Sequence, residues 1–556
     1  MKRIWLGSYE SNTPADVKVD RFQSLVEVFE ESARKYADRP AFNNLGRTLT
    51  FAELEGLSRA FAAYLQERGL AKGDRIALMM PNLLQYPVAL FGALRAGLVV
   101  VNTNPQYTPR ELKHQLCDSG ASVVVVLANF AHVLQQVLPE TSVRNVIVTE
   151  IGDLLTQPRR AAVNFVVRRL RHMVPNFRID GAVSFREALE RGRKVELRAP
   201  GITARDLSFL QYTGGTTGVP KGAMLSHGNV VANLEQVSAF WSSLIDDGRD
   251  IVITPLPMYH IFCLTCNCLT FMKHGGLNVL ITNPRDIAAT LAEMRKWQFS
   301  IITGVNTLYR GLLNHSNFSS LDFSRLKLGV AGGMPLHPEI ARRWHEATGR
   351  QLLEGYGLTE ASPVVACNPP HGEYDGTIGT PVPSTDISIR EGELEVDIGQ
   401  HGELCVRGPQ VMVGYWNRPE DTAKTITADG WLHTGDVAVI DERGRLRIVD
   451  RIKDMIIVSG FKVFPNEIDG VLEAHPDIAE AAAVGVADER TGQAVKIFVV
   501  PRAGARLTAE QVIEHCKANL APYKVPRYVE FRESLPKTNI GKVLRRALVT
   551  ETRAAA

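Results

Sequence analysis

Residues 212–222 read Tyr-Thr-Gly-Gly-Thr-Thr-Gly-Val-Pro-Lys-Gly, and these types suit one task, holding a polyanion. Four glycines let backbone N–H groups converge on an anion, and three threonine hydroxyls add donors. Lys221 brings a mobile positive charge matched to phosphate oxygens. Strand-like residues 207–211 lead into the loop, and Ser226 is placed to cap a helix after it. The spacing is not G-x-x-x-x-G-K-[ST], and no G-x-G-x-x-G follows a strand. The usual nucleotide fingerprints are therefore absent. A plain surface turn is the alternative, but a turn has no need of this Thr/Lys composition.

A second cluster is His260, Cys263, Cys266 and Cys268. Zinc ligands usually come as two separated halves. Here they share one apolar stretch, residues 261–271, which reads as a buried helix with small polarisable side chains.

Further segments follow the loop in order: Tyr356-Gly-Leu-Thr-Glu360, Trp431-Leu-His-Thr-Gly-Asp436, Asp450-Arg-Ile-Lys-Asp454 and Pro536-Lys-Thr-Asn-Ile-Gly-Lys542. With the loop, these make the chain resemble the acyl-adenylate-forming superfamily: acyl-CoA synthetases, luciferases and peptide-synthetase adenylation domains. Residues 430–467 resemble the signature region of bacterial long-chain fatty acid–CoA ligases. The resemblance spans essentially the whole chain.

That resemblance implies a division of labour. Thr213, Gly214, Gly215, Thr216, Thr217, Gly218 and Lys221 would surround the β- and γ-phosphates of ATP. Glu360 would ligate Mg²⁺, with Thr217 as a second contact; a hard, water-retaining ion can manage with one carboxylate. Thr359 would bond the α-phosphate, Tyr356 would lie along the adenine, and Asp436 and Arg451 would reach the ribose. Lys542 would bridge the acyl carboxylate and the α-phosphate. His260, Gly332 and Gly333 would border the acyl pocket. A structural histidine and a tight turn explain those three nearly as well. ATP and CoA are then co-substrates with a fatty acid.

The reaction needs two geometries. A carboxylate is a poor acyl donor, so it is first joined to AMP, and a thiolate then displaces the AMP. Two attainable barriers replace one prohibitive barrier. The first step needs Lys542 at the phosphate, and the second needs that place vacated for CoA. The resemblance puts the pivot at Lys453, two residues after Arg451, and brings Gly460 and Lys462 toward the CoA channel. An amino-acid substrate is disfavoured, because the resemblance would place an ammonium-binding Asp near Pro257-Met-Tyr-His260, as in peptide-synthetase adenylation domains, and residues 254–271 hold no acid. The alternatives are a fatty acyl-AMP ligase, a medium-chain or aryl acid–CoA ligase, and a silent lipid-binding protein on the same scaffold.

The elements that must position these residues are legible in pattern. Apolar spacing in 22–36 predicts a helix, and Thr50 with Glu53 predicts a reciprocal N-cap. Short apolar runs at 75–80, 122–128, 251–253, 328–331 and 403–407 predict buried strands between helices. The texture changes near residue 430. Strands are expected at 437–440, 446–449, 481–486 and 495–500, with helices at 463–475 and 509–520. The expected fold is α/β. A large N-terminal domain, residues 1–450, has parallel and mixed sheets with packed helices. A small mobile α+β C-terminal domain, 451–556, carries the tail lysine.

Composition bounds the rest. The chain has 556 residues, 45% hydrophobic and 22% charged, ordinary values for a folded protein. A net charge of +3 argues against nucleic acid as a partner. Seven irregularly spaced cysteines suit a reducing compartment, and no apolar run approaches the ~20 residues of a spanning helix. A cytoplasmic protein is expected. Residues 154–179 carry six arginines and no acid, with Val163, Val166, Val167, Leu170, Met173 and Val174 on one helical face. That pattern suits contact with the inner face of a membrane, or a surface helix packed on its own domain.

Overall fold

The computed structural model describes residues 2–213, 220–538 and 541–555, with side chains through 551. Among these residues the strands form four sheets. The largest has nine strands, and its centre is parallel: Leu352–Gly357, Leu328–Gly332, Ile301–Gly304, Ile251–Thr254, Leu277–Leu280 and Pro40–Asn44. Antiparallel strands close both of its edges. The second has eight strands built on the parallel run Leu207–Tyr212, Val99–Asn102, Arg75–Met79, Val123–Leu127 and Asn145–Thr149. The expected buried strands at 75–80, 122–128, 251–253 and 328–331 are among these, within a residue or two. Their continuous Val/Ile/Leu composition follows from burial on both faces.

Helices Phe51–Glu67, Gln85–Arg95 and His227–Phe240 contribute much of their length to the buried core. Thr50 and Glu53 form the expected reciprocal cap, and Ser226 forms another with Asn229. Every residue of Gln85–Arg95 is buried, and Arg95 is tied to Glu55 at 2.9 Å. The cysteine-rich segment is helical and buried as expected. It runs through Ile261–Cys263, wider π turns at Leu264–Leu269, and Thr270–Lys273. All seven cysteines are free thiols, and the Cys263, Cys266 and Cys268 thiols are pushed up by burial.

The third sheet is antiparallel and includes Asp386–Glu391, Gly402–Arg407, Leu432–Ile440 and Leu446–Arg451. Its last strand ends at Arg451. The turn Ile452–Asp454 follows, and the fourth sheet begins at Ile456–Val458. That sheet joins the long antiparallel pair Ile478–Asp488 and Gly492–Pro501, backed by helices Pro465–Glu473 and Ala509–Asn519.

Two expectations need correction. Between the phosphate loop and its capped helix lies a further strand, Gly222–Ser226, antiparallel to Leu207–Tyr212. The strands flanking the loop are therefore paired with each other. The basic segment is not helical throughout 154–179. Its helix starts at Arg159, continues in π turns to Leu170 and stops before His172, whose φ is +49°. Pro158 precedes it and Pro175 lies just beyond, which confines the helix to this stretch. No helix among the described residues is long and apolar enough to cross a membrane.

Candidate active site

The hairpin Leu207–Tyr212 and Gly222–Ser226 sets the two ends of the phosphate loop side by side. The Thr213 N–H donates to the Lys221 carbonyl at 3.0 Å. Gly214, Gly215, Thr216, Thr217 and Gly218 lie outside the described residues. Lys221 reaches back over the hairpin. Its ammonium pairs with Asp421 at 3.0 Å and lies 5.1 Å from the Tyr415 ring centroid. The Lys221 partner holds the Asp421 carboxyl below its ordinary range.

Strand Leu352–Gly357 ends at the site and delivers Tyr356; the tight turn Thr359–Ala361 follows with Thr359 and Glu360. Glu360 accepts a hydrogen bond from the Tyr415 hydroxyl at 2.7 Å. Lys221 and Glu360, 139 positions apart by subtraction, therefore meet at one tyrosine. Burial pushes the Tyr356 hydroxyl well above its usual range, and Asp436 adds to the shift. It stays protonated and donates to Asp436 at 2.6 Å.

Asp436 is almost fully buried and sits opposite Arg451 in the third sheet. The Arg451 Nε forms an ion pair with its other oxygen at 2.9 Å. Burial alone would lower the Arg451 guanidinium, but Asp436, together with Tyr356, Asp454 and Glu360, raises it overall. Asp436 thus holds a hydroxyl donor on one oxygen and a guanidinium ion pair on the other.

The tail arrives at the same place. Lys542 follows Gly541, whose φ of +82° only glycine adopts readily, and a Cβ there would meet Thr307 Oγ1 at 2.9 Å. Thr538 and Lys542 close the loop with two bonds, at 2.7 Å from the Thr538 N–H and 3.1 Å to its hydroxyl. Burial first, and then the Arg451 cation, bring the Lys542 ammonium down to about 8, with Asp436 and Asp454 opposing the shift. The tail lysine is therefore in the electrostatic field of the Asp436–Arg451 pair. His337 and Glu473 at 2.8 Å, and Arg310 donating to the Ala479 carbonyl at 3.3 Å, add contacts between the tail and the large sheet region.

The remaining expected residues are distributed around this centre. His260 caps the following turn, accepting from the Phe262 N–H at 3.3 Å, and burial lowers it to about 4, so it is neutral at pH 7. Phe262 lies against Gly332, where a Cβ would meet its ring at 3.0 Å; Gly333 turns the chain with a φ of +79°. Lys453 is in the turn after Arg451, its ammonium lowered by burial and by Arg451 among its neighbours. Gly460 occupies a hairpin tip at a φ of +84°, with open space around it. Lys462 pairs with Glu391 at 2.8 Å. Among the described contacts, neither Gly460 nor Lys462 reaches the Asp436–Arg451 pair.

Tyr415, Asp421, Glu403, His433 and Glu354 were not anticipated. Glu354 precedes Tyr356 on its strand, and burial raises its carboxyl to about 8. Tyr415 lies in a short Gly-Tyr-Trp run that had a readable signal, two adjacent aromatic residues just before a polar stretch. The others depend on partners distant in the chain.

The arrangement places cations, acids and a buried tyrosine where an anionic nucleotide would be charge-matched. The pattern of the AMP-binding enzyme family matches residues 29–416, and that of the AMP-binding enzyme C-terminal domain matches 467–542. Over 556 residues the chain is 56% identical to the long-chain-fatty-acid–CoA ligase of Salmonella typhi, covering 100% of this chain and 99% of the relative. It is 50% identical to the protein of that name from Haemophilus influenzae, with 99% of both chains covered. The ATP-bound crystal structure of MatB from Rhodopseudomonas palustris superposes with a TM-score of 0.82 at 28% identity, covering 95% of this chain and 99% of that one. Sequence from end to end, fold and the convergence of tail and sheet agree, and the chain belongs to the AMP-binding enzyme family.

Proposed function

We propose that this chain is an ATP-dependent fatty acid–CoA ligase that acts on long acyl chains. The observation that carries the reading is the convergence of Lys542 on the Asp436–Arg451 pair, in a chain alike throughout its length to proteins named for that activity. In the first step a fatty acid carboxylate oxygen bonds to the α-phosphorus of ATP, and pyrophosphate leaves with the electron pair of the broken P–O bond. In the second, the CoA thiol loses its proton, its sulfur bonds to the acyl carbon, and AMP leaves.

The residues divide the work as follows. Thr213, Lys221 and the threonines of the loop hold the β- and γ-phosphates, and Thr359 holds the α-phosphate. Tyr356 lies along the adenine. Asp436 and Arg451 take the ribose, exchanging their present mutual contacts for its hydroxyls. Lys542 lies between the two approaching anions and lowers their repulsion. His260, Gly332 and Gly333 border the acyl chain; the neutral imidazole and the close Phe262–Gly332 approach favour an apolar lining. Glu360 offers a hard carboxylate oxygen, with Thr217 as a second oxygen, and such a donor set fits Mg²⁺. When bound, the ion supplies neutralisation of the phosphate charge.

Residues 1–450 and 451–556 act as two domains with Lys453 as the joint. The sheet boundary at Arg451 and the fresh sheet from Ile456 support this division. Rotation there would withdraw Lys542 and bring the Gly460–Lys462 hairpin to the CoA channel. The protein also touches anionic membrane through residues 159–173, where Phe165, Val166, Leu170 and Met173 stand exposed.

The test is release of AMP and formation of thioester from oleate and ATP, with and without CoA. Thioester that requires CoA is expected. Adenylate accumulating equally with and without CoA would favour an acyl-AMP ligase, and no turnover would leave only a silent scaffold. Gly460→Leu is expected to slow thioester formation more than pyrophosphate exchange. Equal slowing would remove the hairpin from the second step.

A further inference from the structure

Asp436 does not stand on a regular strand. Strand Gly402–Arg407 pairs Cys405 with His433 and Glu403 with Val437. One residue, Leu404, lies between Glu403 and Cys405 on this strand, whereas three, 434–436, lie between His433 and Val437 on the other. The extra length is a bulge in strand Leu432–Ile440, and Asp436 is its last residue. Bulges re-aim side chains beside functional sites. Gly435 in the bulge has a φ of +71°, a conformation costly for other residues.

One carboxylate clasps this bulge from the neighbouring strand. Glu403 accepts from the Gly435 N–H through Oε1 at 3.0 Å and meets His433 Nδ1 through Oε2 at 2.8 Å. A carboxylate only accepts, so Nδ1 carries the proton. The two bonds bracket Thr434 from both sides. The Thr434 hydroxyl donates to the Leu404 carbonyl at 2.7 Å and accepts from the Asp436 N–H at 3.1 Å. Both Glu403 oxygens are therefore spent on the segment that ends in Asp436.

We infer that Glu403, with His433, is the positioning residue that holds Asp436 for the nucleotide ribose. The inference rests on the proposal that Asp436 binds the ribose, and adds how that carboxylate is aimed. The same neighbourhood offers another reading. Ligand atoms of Glu403, Cys405 and His433 all lie within 4.8 Å of one another, a set that could hold a metal ion. The hydrogen bonds decide against it, because both Glu403 oxygens already have donors. Cys405 Sγ stands 3.5 Å from His433 Nδ1 and takes no part in the Gly435 bond. The clasp therefore does not need the thiol, whereas a metal site would.

The test measures, by calorimetry, the dissociation constants of ATP and of 2′,3′-dideoxy-ATP for the full chain. Binding keeps inactive variants readable. The unaltered protein should prefer ATP, and Asp436→Asn should lose that preference. Glu403→Ala should lower the ratio by about tenfold, the worth of one well-made charged hydrogen bond, with binding of dideoxy-ATP nearly unchanged. Glu403→Gln, which keeps one acceptor and the shape, should fall between, and Cys405→Ala should match the unaltered protein. A ratio kept in Glu403→Ala but lost in Asp436→Asn would overturn the clasp alone. A ratio kept in Asp436→Asn would overturn the ribose reading beneath it. Equal loss in Cys405→Ala and Glu403→Ala would replace the clasp by a three-residue cluster.

Discussion

Lys542 carries its charge under strain. Burial and the Arg451 cation bring its ammonium to about 8, well below an ordinary lysine. The proposed role needs the cation, because a neutral amine cannot offset two anions. The sign follows: adenylation should be full below that pKa and should fall as pH rises through it. Values of kcat/KM for pyrophosphate exchange report the free enzyme, so their alkaline limb should centre near pH 8. Lys542→Arg, which stays charged, should retain activity beyond that point. A profile flat from about pH 7 to 10 would detach the lysine from the chemistry. The motif around Lys542 was readable in sequence, but its depressed basicity was not. That property comes from burial in the folded tail and from Arg451, 91 positions away by subtraction, and no local pattern carries it. The same holds for Asp421 and Tyr415, which engage Lys221 only because the Gly414–Tyr415 strand pairs with Gly222–Ser226.

At the scale of the element, short-range signals were the legible ones. The reciprocal caps at Thr50 and Ser226 involve residues three apart, and both formed. Buried strands showed as apolar runs because their two faces are covered. The strand Gly222–Ser226 was not expected, since Gly-Ala-Met-Leu-Ser has no strong alternation and becomes a strand through its neighbour. The bulge at 434–436 is likewise a matter of register between two strands. The basic helix was expected to be longer than it is, because periodicity continues past the points where Pro158 and His172 break it.

What remains of that helix, with the residues just after it, has a sharper surface than the sequence implied. Phe165 is 57% exposed, Leu170 63% and Met173 52%, whereas Val163, Val167 and Val174 are partly covered. Arg168 is tied to Glu150, while Arg169 and Arg171 stand exposed. Burying one large apolar side chain is worth roughly 1.5–3 kcal/mol, and each arginine near an anionic surface about 1 kcal/mol. Phe165→Ser with Leu170→Ser should therefore weaken sedimentation with phosphatidylglycerol vesicles by more than about tenfold, leaving adenylation of dissolved substrate intact. Unchanged vesicle binding would mean that this helix is not the contact.

At the scale of the whole molecule, the sequence conveyed the order of the parts better than their meeting. The α/β character, the change of texture near residue 430 and the compact tail all had sequence signals. Which face of the tail turns toward the large sheets had none. It is set by contacts such as His337 with Glu473, Arg310 with the Ala479 carbonyl, and Gly541 against Thr307. None is buried deeply enough to lock the tail in place, and exposed ion pairs are weak. Contacts of this modest kind are compatible with the proposed departure of the tail between the two steps. The central claim is that Lys542 serves the first step only and withdraws for the second. The measurement that meets it most directly follows the two half-reactions of Lys542→Ala separately: pyrophosphate exchange with oleate, and thioester formation from supplied oleoyl-adenylate and CoA. Exchange should fall by at least about a thousandfold, some 4 kcal/mol of lost charge stabilisation, while thioester formation stays within a few-fold of the unaltered protein. Equal loss of both half-reactions would contradict the claim.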